Sequence, residues 1–150
     1  MNVVIVATET DLDDCRGIRR RVFIEEQEVP EDLEWDGKDI DAQHLLIRDG
    51  TRPAGTLRIR RIGDIGKIER VAVEEDQRGK GIGDALVLKA LEILRDDPGI
   101  TRAKLGAQTY VIGFYEKFGF AAFGPVYDDA GIPHRDMMLE FLGKCVRPSS

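Results

Sequence analysis

A strand, a glycine turn and an apolar helix follow one another near the middle of the chain, and this triplet constrains the fold more than any other feature. Residues 66–73 are Gly-Lys-Ile-Glu-Arg-Val-Ala-Val, a strand by composition. Arg78-Gly79-Lys80-Gly81-Ile82-Gly83 then leads into a predicted helix over about 81–95. Its side chains Leu86, Val87, Leu88, Ala90, Leu91, Ile93 and Leu94 are apolar on most faces, so it must be widely covered. Asp96-Asp97-Pro98-Gly99 stops it. Glycines in the turn leave room for a ligand and tolerate dihedrals that aim successive N–H groups inward. The first turn of a helix adds orphan donors and positive dipole character, and together these make an anion cradle for a phosphate or pyrophosphate. Arg78 and Lys80 either add charge there or stay solvated. The plain alternative is a tight turn that packs a helix onto a sheet. No Gly-Lys-Ser/Thr follows as in a Walker loop, and the glycine spacing is not that of the dinucleotide fingerprint.

The flanking sequence alternates strand-like and helix-like segments. Residues 2–6 are β-branched, and Thr10 and Asp11 are candidate caps for a helix over about 11–26. Leu12, Cys15, Ile18 and Val22 form one apolar stripe on that helix, with Arg16, Arg19, Arg20 and Arg21 mainly on its other faces. Strands are predicted at 43–48, 54–61, 66–73, 102–107, 120–127 and 135–142. A short helix is predicted at 110–118, and the last two strands are joined by the loop Asp128 to His134. In the strand before the glycine turn, strict alternation puts Ile68, Arg70 and Ala72 on one face and Lys67, Glu69, Val71 and Val73 on the other. The order β-α-β-β-β-α-β-α-β-β describes one mixed α/β (α+β) domain over 1–150.

Charge narrows the function classes. The net charge of −6 excludes a general nucleic-acid binder, which needs a basic face. No apolar run approaches the roughly 20 residues needed to cross a bilayer, and residues 1–14 lack a leader pattern, so a cytoplasmic protein with no membrane partner is expected. Cys15 and Cys145 are too few for a disulfide framework or a four-cysteine metal site, and no metal is expected. Cys15 lies on an apolar stripe and Cys145 in the tail, so neither reads as a nucleophile. The charge is localised: residues 25–41 hold nine acidic residues and one lysine and carry −8, which leaves +2 for the remainder. Trp35 lies inside this segment, where a large aromatic reads as an anchor.

A second constellation lies downstream. Gly106-Ala107-Gln108 is followed by Gly113-Phe114-Tyr115-Glu116-Lys117-Phe118-Gly119-Phe120. The phenylalanines read as core, and Tyr115 as packing or chemistry. Taken together, Val71-Ala72-Val73 with Arg78-x-x-Gly81-x-Gly83, and Phe114-Tyr115-x-x-x-Gly119-Phe120, resemble the two motifs of the GCN5-related N-acetyltransferases (GNAT). The spacing between them and the strand–helix order over nearly the whole chain agree with that family. Arg19-x-x-Val22-Phe23-x-x-Glu26-Gln27, Ala42-x-His44, Ile68-Glu69-Arg70-Val71, Ala107-Gln108-Thr109 and Ala130-Gly131-Ile132-Pro133-His134 resemble its YjcF/ElaA-like branch.

The resemblance implies a mostly antiparallel sheet of about six to seven strands flanked by about four helices. It implies transfer of acetyl from acetyl-CoA directly to a primary amine, with no covalent enzyme intermediate. The backbone of Gly79, Lys80, Gly81, Ile82, Gly83 and Asp84, beside Arg78, matches the pyrophosphate site. The backbone of Val71, Ala72 and Val73 matches the pantetheine strand, with an N–H toward the acetyl carbonyl, and Gln108 joins the cofactor-binding set. Tyr115 matches the tyrosine near the coenzyme sulfur and is the expected general acid. Glu69, on the Val71/Val73 face, is one candidate base, or an arginine partner. His134 is the other, since a histidine titrates near neutrality (about 6.5); a loop-fixing hydrogen bond is its alternative. His44 is either a further candidate or a link between the acidic segment and the sheet. The resemblance leaves a homodimer open. It sets the acidic segment beside the acceptor, which makes a cationic amine one reading and a solvated loop the other. A non-catalytic acyl-CoA-binding module on the same fold is the alternative function.

Overall fold

Branched residues at alternate positions close into one seven-stranded sheet. The computed structural model describes residues 2–143. Its strands are β1 (Val3–Ile5), β2 (Gln43–Asp49), β3 (Arg52–Ile62), β4 (Ile65–Val73), β5 (Arg102–Gln108), β6 (Ala121–Asp129) and β7 (Ile132–Glu140), in the order β1-β2-β3-β4-β5-β7-β6. Every neighbouring pair is antiparallel except β4 and β5. Four α-helices accompany them: α1 (Glu9–Arg19), α2 (Glu31–Glu34), α3 (Ile82–Asp96) and α4 (Ile112–Glu116). The mixed, mostly antiparallel architecture expected from the sequence is the one formed.

The sheet buries both faces. Leu45, Ile47, Leu57, Ile59, Ile68, Ala103, Leu105 and Ala107 meet Ile82, Leu86, Ala90 and Leu94 of α3 on one side. Gly55 and Gly66 let that helix sit close: a Cβ on Gly55 would lie 2.7 Å from Ile82 Cγ2, and one on Gly66 would fall on the methyls of Leu94. On the other side Leu46 and Ala72 meet Cys15, Ile18 and Val22. Cys15 is fully buried, and burial pushes its thiol up to about 11, as its place on the apolar stripe predicts. Cys145 lies outside the described residues.

Three local readings are corrected. The first helix begins earlier, because Thr8 is the N-cap and accepts from the Asp11 N–H at 3.1 Å; its continuation, Arg20–Glu26, is a π-helical segment. The 128–134 loop is a tight turn: Ala130 and Gly131 both have positive φ (55° and 82°), β6 and β7 run up to it, and His134 sits in β7. The third concerns β4. Arg58 pairs with Glu69 and Thr56 with Ala72, which leaves Leu57 opposite both Arg70 and Val71. Arg70 takes a left-handed conformation (φ 56°) in this bulge. The extra residue reverses the alternation. Val71 and Val73 therefore join Ile68 on the α3 side, and Glu69 turns to the α1 side with Ala72.

Candidate active site

The parallel pair that separates the two motifs is zipped only from Ile65–Lys67 to Arg102–Lys104. Beyond those rungs β4 continues to Val73 and β5 to Gln108, and the two strands diverge around a cleft of about 890 Å³. Glu74 N–H donates to the Ala54 carbonyl at 2.9 Å. Bonding alternates along an antiparallel ladder, so the N–H and C=O of Val73 turn away from β3 and toward the gap. Arg78 Nε donates to that carbonyl at 3.1 Å. The glycine turn closes the same end. Gly79 and Gly81 have φ 79° and 78°, and a Cβ on either would meet nothing within 4 Å. Gly81 is the N-cap of α3 and supplies no side-chain cap, so the first-turn donors are left for a ligand.

Val71, Ala72, Val73, Arg78, Gly79, Gly81, Ile82, Gly83, Asp84, Gln108 and Tyr115 all line this cleft. Lys80 does not: its ammonium donates to Gln77 Oε1 at 3.1 Å and stands 3.8 Å from Asp49. Arg78 is not a free cation either. Its guanidinium grips Glu26 through two 2.7 Å bonds, so a residue of the π-helical segment straps across the cleft. Gln27 makes a second strap. It accepts from Gln108 at 2.9 Å, and the Tyr110 hydroxyl donates to Gln108. A π-helical segment at a ligand cleft is a frequent functional deviation. Among the cleft cations the sequence reading gave no role, Lys117 lies at the glycine-turn end, reaches Asp84 at 3.0 Å and lies 4.8 Å over the Phe114 ring. Its position two residues after Tyr115 was the available signal.

Tyr115 is buried with its ring edge-on to Phe114 and Phe120 (centroids 5.0 and 6.2 Å). Burial pushes its phenol upward, so it keeps its proton at neutral pH. His134 lines the cleft opposite Gln108 and stacks on Tyr127 at 5.9 Å. Its Nδ1 lies 2.7 Å from the Ile132 carbonyl. A carbonyl only accepts, so Nδ1 carries a proton, and in the neutral ring the lone pair is on Nε2.

Glu69 is different. Burial favours its neutral form, but Arg60 hydrogen bonds (2.6 and 3.1 Å) and the charges of Arg58 and Lys67 outweigh that and hold the carboxyl at about 2. It stands at the cleft wall as an arginine partner on the face opposite Val71 and Val73. The acidic segment shares this fate. Arg19 is buried between Glu34 and Asp39 (2.8 Å each), and buried Arg58 holds Asp36, Asp39 and Glu69. Arg70 reaches Glu34 at 3.0 Å and Asp36 at 3.2 Å. Glu31 pairs with Arg20, and Trp35 lies under the guanidinium groups of Arg19 and Arg20 (5.2 and 5.6 Å). Trp35 thus anchors the segment through arginines, which answer Glu34, Asp36 and Asp39 inside the protein, while Glu25, Glu28, Asp32 and Asp41 stay exposed. His44 Nε2 donates to the Asp39 carbonyl at 3.0 Å, the structural link between segment and sheet. Among the described residues no three His, Cys, Asp or Glu side chains cluster to hold a metal ion, and no helix is long and apolar enough to cross a membrane.

Comparison with known proteins agrees with this geometry. The family described as "Acetyltransferase (GNAT) domain" matches residues 8–141. The uncharacterized N-acetyltransferase YjcF of Bacillus subtilis is 37% identical over 141 residues, 93% of this chain and 100% of YjcF. Protein ElaA of Escherichia coli is 33% identical over 129 residues, 83% of this chain and 84% of ElaA. The crystal structure of ElaA superposes with a TM-score of 0.84 at 29% identity, covering 93% of this chain and 99% of ElaA. A Bacillus subtilis acetyltransferase solved in complex with CoA shares the fold, with a TM-score of 0.70 at 18% identity over 94% of this chain and 99% of the other. Two straps, an uncapped helix terminus and two diverging strands thus sit on a chain that belongs to the GNAT acyltransferases, in their YjcF/ElaA-like branch.

Proposed function

We propose that this chain, as one catalytic domain, moves an acetyl group from acetyl-CoA directly to the primary amine of a small molecule in the cytoplasm. One observation carries the reading: an uncapped, glycine-entered helix terminus, the open edges of β4 and β5, and the largely buried Tyr115 share one cleft. The residues fit the donor. The N–H groups from Gly79 to Asp84 suit its pyrophosphate, with Lys117 beside them, and the open edge at Val73 suits its amide-bearing arm. A fold neighbour solved in complex with CoA supports the choice of donor.

Acetyl-CoA supplies an activated carbonyl: a C–N bond forms as the C–S bond breaks, and the electron pair leaves on sulfur. A backbone N–H of Val71 to Val73 stabilises the charge that develops on the carbonyl oxygen. His134 Nε2 accepts the proton lost by the amine, directly or through one water. Glu69 is a poor acceptor for that proton, since it stays ionised at about 2 among arginines. The Tyr115 hydroxyl returns a proton to the departing thiolate. A non-catalytic acyl-CoA-binding module would need neither a protonated phenol nor an imidazole lone pair in the cleft. Tyr115→Phe is expected to lower kcat by about 100-fold with acetyl-CoA affinity retained, read by thiol release and calorimetry. An unchanged kcat overturns the assignment. Loss of the acidic limb of the pH–rate profile in His134→Gln checks the base.

A further inference from the structure

The cleft continues past the strands' divergence to its closed end, where two lysines stand together. Lys67 and Lys104 are register partners on the last bonded rung of the parallel pair, and both line the cleft. Each side chain is 32% exposed. Like charges on neighbouring strands repel, so this pairing costs stability unless something offsets it. The nearest carboxylates do so incompletely. Lys67 stands 3.5 Å from Glu69 and Lys104 3.9 Å from Asp136, both longer than a good hydrogen bond. Those acids have nearer partners: Glu69 is held by Arg58 and Arg60, and Asp136 accepts from the Tyr127 hydroxyl at 2.8 Å. Lys104 also lies 5.7 Å over the Phe123 ring, a contact that uses none of its N–H donors in a hydrogen bond, so both ammonium groups keep donors beside one cavity.

Their place separates them from the donor's phosphates. Val71 lies four residues beyond Lys67, roughly 13 Å along a strand, and the glycine turn lies farther in the same direction. On β5, Ala103, Leu105 and Ala107 enter the core, so Lys104 shares the opposite face with Gln108. Asp136 and His134 extend that face on β7. An amine presented near His134 would carry its remaining atoms toward the lysines past the Tyr127 ring, which stacks on His134 and sets its hydroxyl over Gly106. The neighbouring Asp136 disfavours a dianion such as phosphate and suits a single negative charge.

We infer that Lys67 and Lys104 form an anion subsite for the acceptor, so that the substrate is an amine bearing a carboxylate several bonds from the reacting nitrogen. The inference rests on the acetyltransferase reading above. It takes the selector's role from the acidic segment, because the segment's acids that line the cleft, Glu26 and Glu34, are already held by Arg78 and by Arg19 and Arg70.

The test compares ω-amino acids of increasing chain length with the matching ω-amino amides, by thiol release at saturating acetyl-CoA. The acids are expected to exceed the amides in kcat/KM by about tenfold or more at the fitting length, the scale of one charge-assisted hydrogen bond. The difference should lie in KM and shrink with added salt. Lys67→Gln and Lys104→Gln should each remove most of it, and Lys104→Arg should keep much of it. Calorimetry of the N-acetylated amino acid against the donor-free protein reads the same subsite without turnover. Equal rates for acids and amides at every length, or a preference that survives both glutamine substitutions, overturns the subsite and leaves the enzyme reading intact. CoA binding without acetylation of any amine overturns both.

Discussion

Replacing Glu69 by glutamine removes one charge and keeps its shape, and the structure gives the cost. Burial works against the Glu69 carboxylate, yet the bonds from Arg60 and the charges of Arg58 and Lys67 hold it at about 2 against the usual 4.5. A difference of that size corresponds to about 3 kcal/mol of native-state stabilisation at neutral pH. Part is recovered in the variant, because Arg58 keeps Asp36 and Asp39 and the partly exposed Arg60 turns to water. We expect Glu69→Gln to lose about 2 kcal/mol at pH 7. The folded carboxyl titrates below the unfolded one, so its contribution is complete above about 4.5 and disappears as the pH falls toward about 2. Urea denaturation of both proteins at neutral pH and at several acid values measures the gap. It should close as the wild-type carboxyl protonates and comes to resemble the amide. A gap under about 0.5 kcal/mol at pH 7, or one that persists unchanged to pH 3, would refute the pairing argument. The same variant should keep the acidic limb of the pH–rate profile.

Other consequences are quick to check. Gly66→Ala places a methyl against Leu94 under α3 and should cost about 1–3 kcal/mol, read by thermal or urea unfolding. Gly81→Ala forces a side chain into the left-handed N-cap, at about 1 kcal/mol, and narrows the cradle; its melting temperature should rise less than wild type on adding acetyl-CoA. Arg78→Met cuts the strap to Glu26 and should raise the acetyl-CoA dissociation rate in stopped-flow measurements. Cys15, buried with its thiol near 11, should resist alkylation at pH 8 until denaturant is added, as peptide mass mapping would show.

The sequence was most legible where one local pattern decides structure. The apolar positions of residues 82–96 predicted a covered helix, and Leu86, Val87, Ala90, Leu91 and Leu94 are buried while Leu88 is exposed; Gly79 and Gly81 announced left-handed turns that are found there. Alternation placed Leu57 and Ile59 in the core, and the glycine turn plus Tyr115 pointed at one cleft. Reading failed where distant partners decide. Strict alternation put Glu69 beside Val71, but a bulge reverses the phase at Arg70, whose guanidinium is tied to Glu34 and Asp36 more than thirty residues away. Nothing local announces an arginine at positive φ. Likewise, the −8 of one segment gives no sign that its Glu34, Asp36 and Asp39 meet arginines from α1, β3 and β4. Lys80 sat in the motif yet points to Gln77, because turn geometry, not spacing, aims a side chain.

The short zipper between β4 and β5 has a further consequence for motion. Only the stretch Ile65–Lys67 is laddered to its neighbour on that side, while β3–β4 and β5–β7 are paired along most of their length. The chain therefore consists of two well-laddered halves, β1 to β4 and β5 to β7, held by three rungs, the shared core under α3, the Thr101–Asp64 bonds and the Gln27–Gln108 strap. A seam of this kind is where sub-global opening takes place at less than the full cost of unfolding. A donor bound as proposed would fill the same seam, which would make binding and cohesion one equilibrium: a ligand in the cleft would fasten the halves together. Hydrogen exchange should show it as protection that spreads on donor binding from Val71–Val73 into β5 and β7, far from any atom the donor touches.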